Sequence, residues 1–211
     1  MAVRLRGRLD RTALRAAVVD LLARHEILRT LFPAPGGEPR QHILPIDEAR
    51  ARLRWEDIEA PRELADPAAL VGDAAFDITS ELPLRIRLFA VGDGGIDTDD
   101  HVLVVVLHHI AADGESMRPL VADLWGAYLA RAGGHAPAAA APAIQFADHA
   151  LWQRETLGDI DSPESVLGRQ VGYWVNRLSG SPTSSRCPRT GRDRRSRRNG
   201  AVASPRPSRP N

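Results

Sequence analysis

Two adjacent histidines, His108 and His109, followed by Asp113 and Gly114, form the group of side chains in this sequence best suited to chemistry. Imidazole ordinarily titrates close to neutral pH, so a histidine here can act as a general base or orient a nucleophile. Adjacent residues of a strand point to opposite faces, so the pair cannot both reach one metal ion while the strand stays regular, and no metal site is expected. Gly114-Glu115-Ser116 lacks the second glycine of a serine-nucleophile elbow. Structural alternatives stand beside the chemical one: a histidine at a strand end is often a hydrogen-bonded core residue, an aspartate before a helix is often its cap, and a tight turn also calls for glycine.

The elements that must position this group can be read from periodicity. His101 to His109 is a near-continuous apolar run and reads as a strand central in its sheet. Met117, Leu120, Val121, Leu124, Trp125 and Tyr128 form the buried stripe of the helix that follows, with Asp113 at the position of its cap. Val3 to Gly7 alternates as a half-buried strand. Asp10 or Thr12 can cap a helix running to about His25, whose apolar face carries Leu14, Ala17, Val18, Leu21 and Leu22. Further extended pieces are expected at Ile27–Phe32, Gln41–Leu44, Leu53–Trp55 and Leu84–Phe89, a helix over Ala60–Phe76, and a loop over Asp93–Asp100. Two more helices are expected near Phe146–Leu157 and Ser165–Leu178, after a linker at Ala132–Pro142.

Composition narrows the classes. The 211 residues are 43% hydrophobic and 26% charged, which suits one soluble domain with a core. No run approaches the roughly 18 apolar residues of a membrane helix, and the charged amino terminus has no signal core, so a cytoplasmic location is expected. Cys187 is alone, which leaves neither an internal disulfide nor a cysteine zinc site. Residues 181–211 hold nine arginines against one aspartate, or +8, and the total of +1 leaves −7 for residues 1–180. That tail has no apolar periodicity and is expected to be disordered. It also has no aromatic residue on which bases could stack, so no nucleic-acid partner is expected.

The segment His108-His109-Ile110-Ala111-Ala112-Asp113-Gly114 matches the HHxxxDG signature of the condensation domains of nonribosomal peptide synthetases. Arg24 to Phe32, RHEILRTLF, resembles that family's RHExLRTxF segment. Phe76-Asp77 with Pro83-Leu84-Arg85 resembles the approach to the signature strand, Ile144 to Glu155 the Q(Y/F)ADYAxWQRE helix, and Tyr173-Trp174 with Leu178 the YWxxxL segment. The matches keep order and spacing across residues 1–180.

The resemblance implies an α/β fold, an α+β two-layer sandwich like the chloramphenicol acetyltransferase lobe, with a mixed sheet covered by helices and a disordered basic tail. It implies an acyltransferase that forms an amide between a carrier-bound acyl or peptidyl thioester and a carrier-bound aminoacyl group. His109, Asp113 and Gly114 would be catalytic, with His108 and Arg29 supporting the site and Arg29 pairing with Asp113. No cofactor is bound directly; phosphopantetheine arrives on the partners, which are peptidyl carrier proteins or synthetase modules. Trp152 and Trp174 are expected in the core. The chain is read as the N-terminal lobe over residues 1–180, a fragment incomplete at both ends, with residues 181–211 an Arg/Pro/Ser-rich tail consistent with a shifted reading frame. Whether it is active alone is left open. The other readings are a noncatalytic carrier-docking or scaffold lobe, completed by a separately encoded second lobe, and a coenzyme A-dependent acyltransferase of the same superfamily.

Overall fold

The strand that leads to the two histidines lies inside a four-stranded mixed sheet, with β1 (Ala2–Arg6), β6 (Asp100–Leu107), β5 (Leu84–Val91) and β4 (Arg54–Ala60) side by side in that order. The computed structural model describes residues 1–60, 75–92, 98–138 and 140–181. β6 runs antiparallel to both neighbours, pairing Val3 with Leu103 and Leu88 with Leu103, while β4 and β5 are parallel. Its residues His101 to Val106 are all buried, as a two-faced apolar strand requires. Leu103 and Val105 join Leu84, Ile86 and Leu88 of β5 in the larger cluster beneath two helices. Val102, Val104 and Val106 pack with Phe89 and Val91 on the other face. Each fully buried aliphatic side chain contributes about 1.5–3 kcal/mol, so this strand is the most firmly held part of the site's foundation.

The covering helices are α1 (Arg11–Arg24) and α3 (Met117–Ala132). Asp10 caps α1, its carboxylate accepting the Ala13 N–H at 2.9 Å. Leu14, Val18, Leu21 and Leu22 of α1 meet Leu120, Leu124 and Tyr128 of α3 over the sheet. Polar contacts fix the pair as well: Asp10 N–H donates to the Tyr128 hydroxyl at 3.2 Å, and Arg131 holds Asp20 through two bonds of 2.8 and 2.6 Å. Val121 and Trp125, expected in the buried stripe of α3, are 39% and 50% exposed, because the stripe that meets α1 runs through Leu120, Leu124, Ala127 and Tyr128 instead.

Other expectations change in detail. Ile27–Phe32 is not one extended piece. Glu26–Arg29 forms a 3-10 turn, closed by the Thr30 hydroxyl donating to the Glu26 carbonyl at 2.7 Å, and only β2 (Thr30–Leu31) is extended, paired with β3 (His42–Ile43). A short helix, α2 (Ile46–Arg52), precedes β4; its two-turn length leaves too few apolar positions to show a period. Of the helix expected over Ala60–Phe76, residues 61–74 lie outside the described residues, Ala60 ends β4 and Phe76 is not helical. Residues 93–97 of the expected loop, and the tail from residue 182, also lie outside them.

The chain divides into two units, Met1–Thr156 and Leu157–Asn211. The helix α4 (Phe146–Leu157) closes the first unit, and α5 (Val166–Leu178) belongs to the second, capped by Ser165 Oγ accepting the Gly168 N–H at 2.8 Å. Trp152 of α4 and Trp174 of α5 are not core residues: they are 60% and 57% exposed. Helical apolar spacing shows that a face is apolar, not what covers it, and among the described residues each ring meets only a neighbour on its own helix, His149 for Trp152 and Tyr173 for Trp174. No helix among the described residues is long and apolar enough to cross a membrane.

Candidate functional site

β6 ends at Leu107, so neither histidine lies on the strand and the pleat does not separate them. A turn does. His108 N–H donates to the Pro83 carbonyl at 3.0 Å, the last anchor to the neighbouring strand's approach, and the Ala111 N–H then returns to the His108 carbonyl at 3.0 Å. His109 and Ile110 occupy the two corner positions of this four-residue turn, and both are exposed.

His108 is committed to holding the turn. Its Nδ1 accepts the Ile110 N–H at 3.0 Å, which places the proton of the neutral ring on Nε2. Its ring meets Phe76 edge to face, with centroids 5.8 Å apart at 86°, and the Arg85 guanidinium covers Phe76 at 4.1 Å. His109 makes no hydrogen bond with any described residue, so its ring is available to a reacting group.

Asp113 closes the next turn in a reciprocal arrangement. Its Oδ1 accepts both the Ser116 N–H at 2.9 Å and the Ser116 hydroxyl at 2.6 Å, while its own N–H donates to Ser116 Oγ at 3.1 Å. The Ser116 hydroxyl, then the Ser116 N–H, hold the Asp113 carboxyl below the usual carboxylate range, and the nearby His109 acts in the same direction. Asp113 therefore caps the turn ahead of α3, whose own first flanking residue is Ser116.

The expected ion pair between Asp113 and Arg29 does not form. Arg29 donates to the carbonyl oxygens of Leu22 and Leu44 and to Glu26 Oε1 at 3.0 Å, so its fork is spent on the end of α1 and the exit of β3. Those two carbonyls belong to buried residues and need a donor, which is what fixes the guanidinium there. At Gly114, φ is not left-handed and an added Cβ would meet nothing within 4 Å. A strained turn is thus not the reason for glycine, and the space before the Gly114 backbone is open.

Sequence reasoning missed the group that braces this loop from behind. Asp123 of α3 takes His25 Nε2 at 2.6 Å and Arg24 Nε at 2.9 Å, and Gln145 bonds the backbone on either side of His25. The signal was present. Asp123 falls three residues after Leu120 and four before Ala127, a charge at the spacing of the buried face, which calls for a partner. Among the described residues, no three His, Cys, Asp or Glu side chains converge as metal ligands would.

Comparison with known proteins places these features in context. A family model described as "Condensation domain" matches residues 1–202. The chain is 48% identical over 192 residues to an isonitrile lipopeptide synthase of Mycobacterium tuberculosis, covering 89% of this chain and 7% of that protein. It is 43% identical over 188 residues to a dimodular nonribosomal peptide synthase of Bacillus subtilis, covering 89% and 8%. Among solved structures, the X-domain in its complex with OxyB from teicoplanin biosynthesis superposes with a TM-score of 0.75 at 40% identity, over 89% of this chain and 39% of that one. The chain thus spans less than a tenth of these two curated relatives and about two fifths of the X-domain chain.

Proposed function

The chain belongs to the condensation-domain family, and from that premise we propose that it serves amide formation in nonribosomal peptide assembly, with His109 at the reacting centre. The amine of a carrier-bound aminoacyl group attacks the carbonyl carbon of a carrier-bound acyl or peptidyl thioester. The C–N bond forms, the C–S bond breaks, and the thiol remains on the donor carrier's phosphopantetheine arm. An α-amino group with pKa near 8 is already about one tenth neutral at pH 7. Removing a proton before attack is therefore a small part of the barrier. His109 orients the amine and takes its proton as the amide forms, while Gly114 leaves room for backbone approach and Asp113 holds the loop through Ser116.

The observation that carries this reading is the contrast within the histidine pair: His108 is bonded into the turn, and His109 is exposed and unbonded to the described residues. The test supplies the rest of such a domain as a second polypeptide and follows condensation between two loaded carrier proteins by mass spectrometry of the released product. Product from carrier-bound donors supports the reading. Product from free coenzyme A esters alone would contradict it in favour of a coenzyme A-dependent enzyme.

A second reading is a docking lobe without chemistry. It is favoured by the 40% identity to an X-domain whose structure was determined in complex with OxyB. Carrier binding with no condensation in the same assay, for both the natural chain and His109→Ala, would select it.

A further inference from the structure

Two side chains distant in sequence, Gln145 and Asp123, close on one short segment, residues 24–26, where α1 ends. The end of a helix leaves carbonyls without intrahelical partners. Gln145 answers both sides of His25 at once: its Nε2 donates to the Arg24 carbonyl at 2.9 Å, and its Oε1 accepts the Glu26 N–H at 3.2 Å. From α3, Asp123 Oδ2 accepts His25 Nε2–H at 2.6 Å and Arg24 Nε–H at 2.9 Å. All three side chains of the Asp123 group are largely buried, at 22–26% exposure, where charge-assisted bonds are stronger than at the surface.

This junction faces the signature loop across a cavity. His25, Ile27 and Leu28 form one wall of a cavity of about 180 Å³, and Ala111, Ala112 and Ser116 form the other. The loop from His108 to Ser116 is fixed at one end by β6, which the sheet holds, and at the other by α3. Asp123 ties α3 to residues 24 and 25, and Gln145 ties residues 24 and 26 to the start of α4.

We propose that Gln145 and Asp123 are positioning residues for His109, acting through the residue 24–26 junction to set where the signature loop stands against the His25–Leu28 wall. Neither touches the reacting atoms. The proposal rests on the reading of His109 as the residue at the reacting centre, but its structural half can be measured without activity.

The experiment records the His109 Cε1–H resonance of the full 211-residue chain by carbon–proton correlation, assigned by its loss in His109→Gln. Gln145→Ala and Asp123→Asn are expected to displace and broaden this signal. Gln145→Glu keeps an acceptor for the Glu26 N–H but replaces the donor to the Arg24 carbonyl with a carboxylate oxygen and adds a negative charge, so it too is expected to displace the signal. Arg131→Gln breaks a different bond between the same helices and is the control, expected to lower stability while leaving the signal in place. A loss of global stability alone does not move a native-state resonance, so a merely structural role predicts no displacement in any of them. The proposal is overturned if the His109 signal keeps its wild-type position in folded Gln145→Glu and Asp123→Asn, or if Arg131→Gln moves it equally. Should Gln145→Ala fail to fold, those two milder variants still decide. If the signal moves as expected while His109→Ala condenses carrier-bound substrates normally, the coupling stands and the functional reading of His109 fails.

Discussion

The His108 ring accepts the Ile110 N–H at 3.0 Å, and this bond presents the neighbouring His109 to solvent. The two residues are chemically identical and adjacent, yet one is consumed by the turn and the other is exposed and makes no hydrogen bond with a described residue. Phe76 and Arg85 stack behind His108 and complete its confinement. The division of labour follows from the turn that begins where β6 stops.

Arg29 is a staple for the fold. Arg29→Met keeps the aliphatic stem and removes the donors to Leu22 and Leu44, leaving buried carbonyls unsatisfied at a cost of about 1–3 kcal/mol each. Urea unfolding is expected to shift to lower denaturant, with Arg40→Met, at an exposed pair 4.0 Å apart, nearly unchanged. Equal midpoints for the two variants would show that Arg29 holds nothing.

Asp113 should make the loop sensitive to acid. Its carboxyl is held below the ordinary value, chiefly by Ser116. A depressed carboxyl stabilises the fold above the unfolded-state pKa near 3.9, and that contribution disappears as pH falls through the lower folded value. Ser116→Ala removes the main cause, so its stability deficit should be largest at neutral pH and shrink in strong acid to the part carried by the lost Asp113 N–H bond to Ser116 Oγ. A deficit that stays constant from neutral pH into strong acid would exclude this account.

The second unit offers a steric test. An added Cβ at Gly168 collides with the Ser162 carbonyl oxygen, whereas one at Gly172 meets nothing within 4 Å. Gly168→Ala is expected to destabilise residues 157–181 by about 1–3 kcal/mol through overpacking. Gly172→Ala, in the interior of α5, should stabilise them by up to about 1 kcal/mol through helix propensity. Amide hydrogen exchange over α5 reads both, and the same sign for the two changes would refute the packing described.

A change at Gly114 is expected to affect turnover and not folding. With no left-handed φ and open space at its Cβ, Gly114→Ala should unfold at the wild-type temperature. In the condensation assay the added methyl is expected to lower turnover at least about tenfold, the scale of a 1.4 kcal/mol loss in the transition state. Unchanged turnover would mean that the open space is not used by substrate.

The central strand as far as Leu107, the capped helix α1 and the position of α3 were legible because each announces itself locally, as a two-faced apolar run or an amphipathic stripe, whereas the turn carrying His108 and His109 reads in sequence as a continuation of the strand. The 3-10 turn at Glu26–Arg29 was not legible, since it is set by Thr30 and by tertiary anchors on Arg29. The Asp113–Arg29 pairing was misjudged for a related reason. Charge type can be read from sequence, but which of several acceptors wins a guanidinium depends on which carbonyls end up buried beside it. Trp152 and Trp174 show the opposite limit, where apolar periodicity is plain and the described residues leave both side chains more than half exposed.

The most direct measurement compares the natural chain with His109→Ala and His108→Ala in condensation between two loaded carriers, with the remaining lobe supplied separately and urea unfolding measured in parallel. His109→Ala is expected to unfold like the natural chain and to lose product by at least about a hundredfold, the lower range for a positioned acid–base group. His108→Ala should lose stability by about 1–2 kcal/mol with the Ile110 bond. Full product formation by folded His109→Ala would contradict the account.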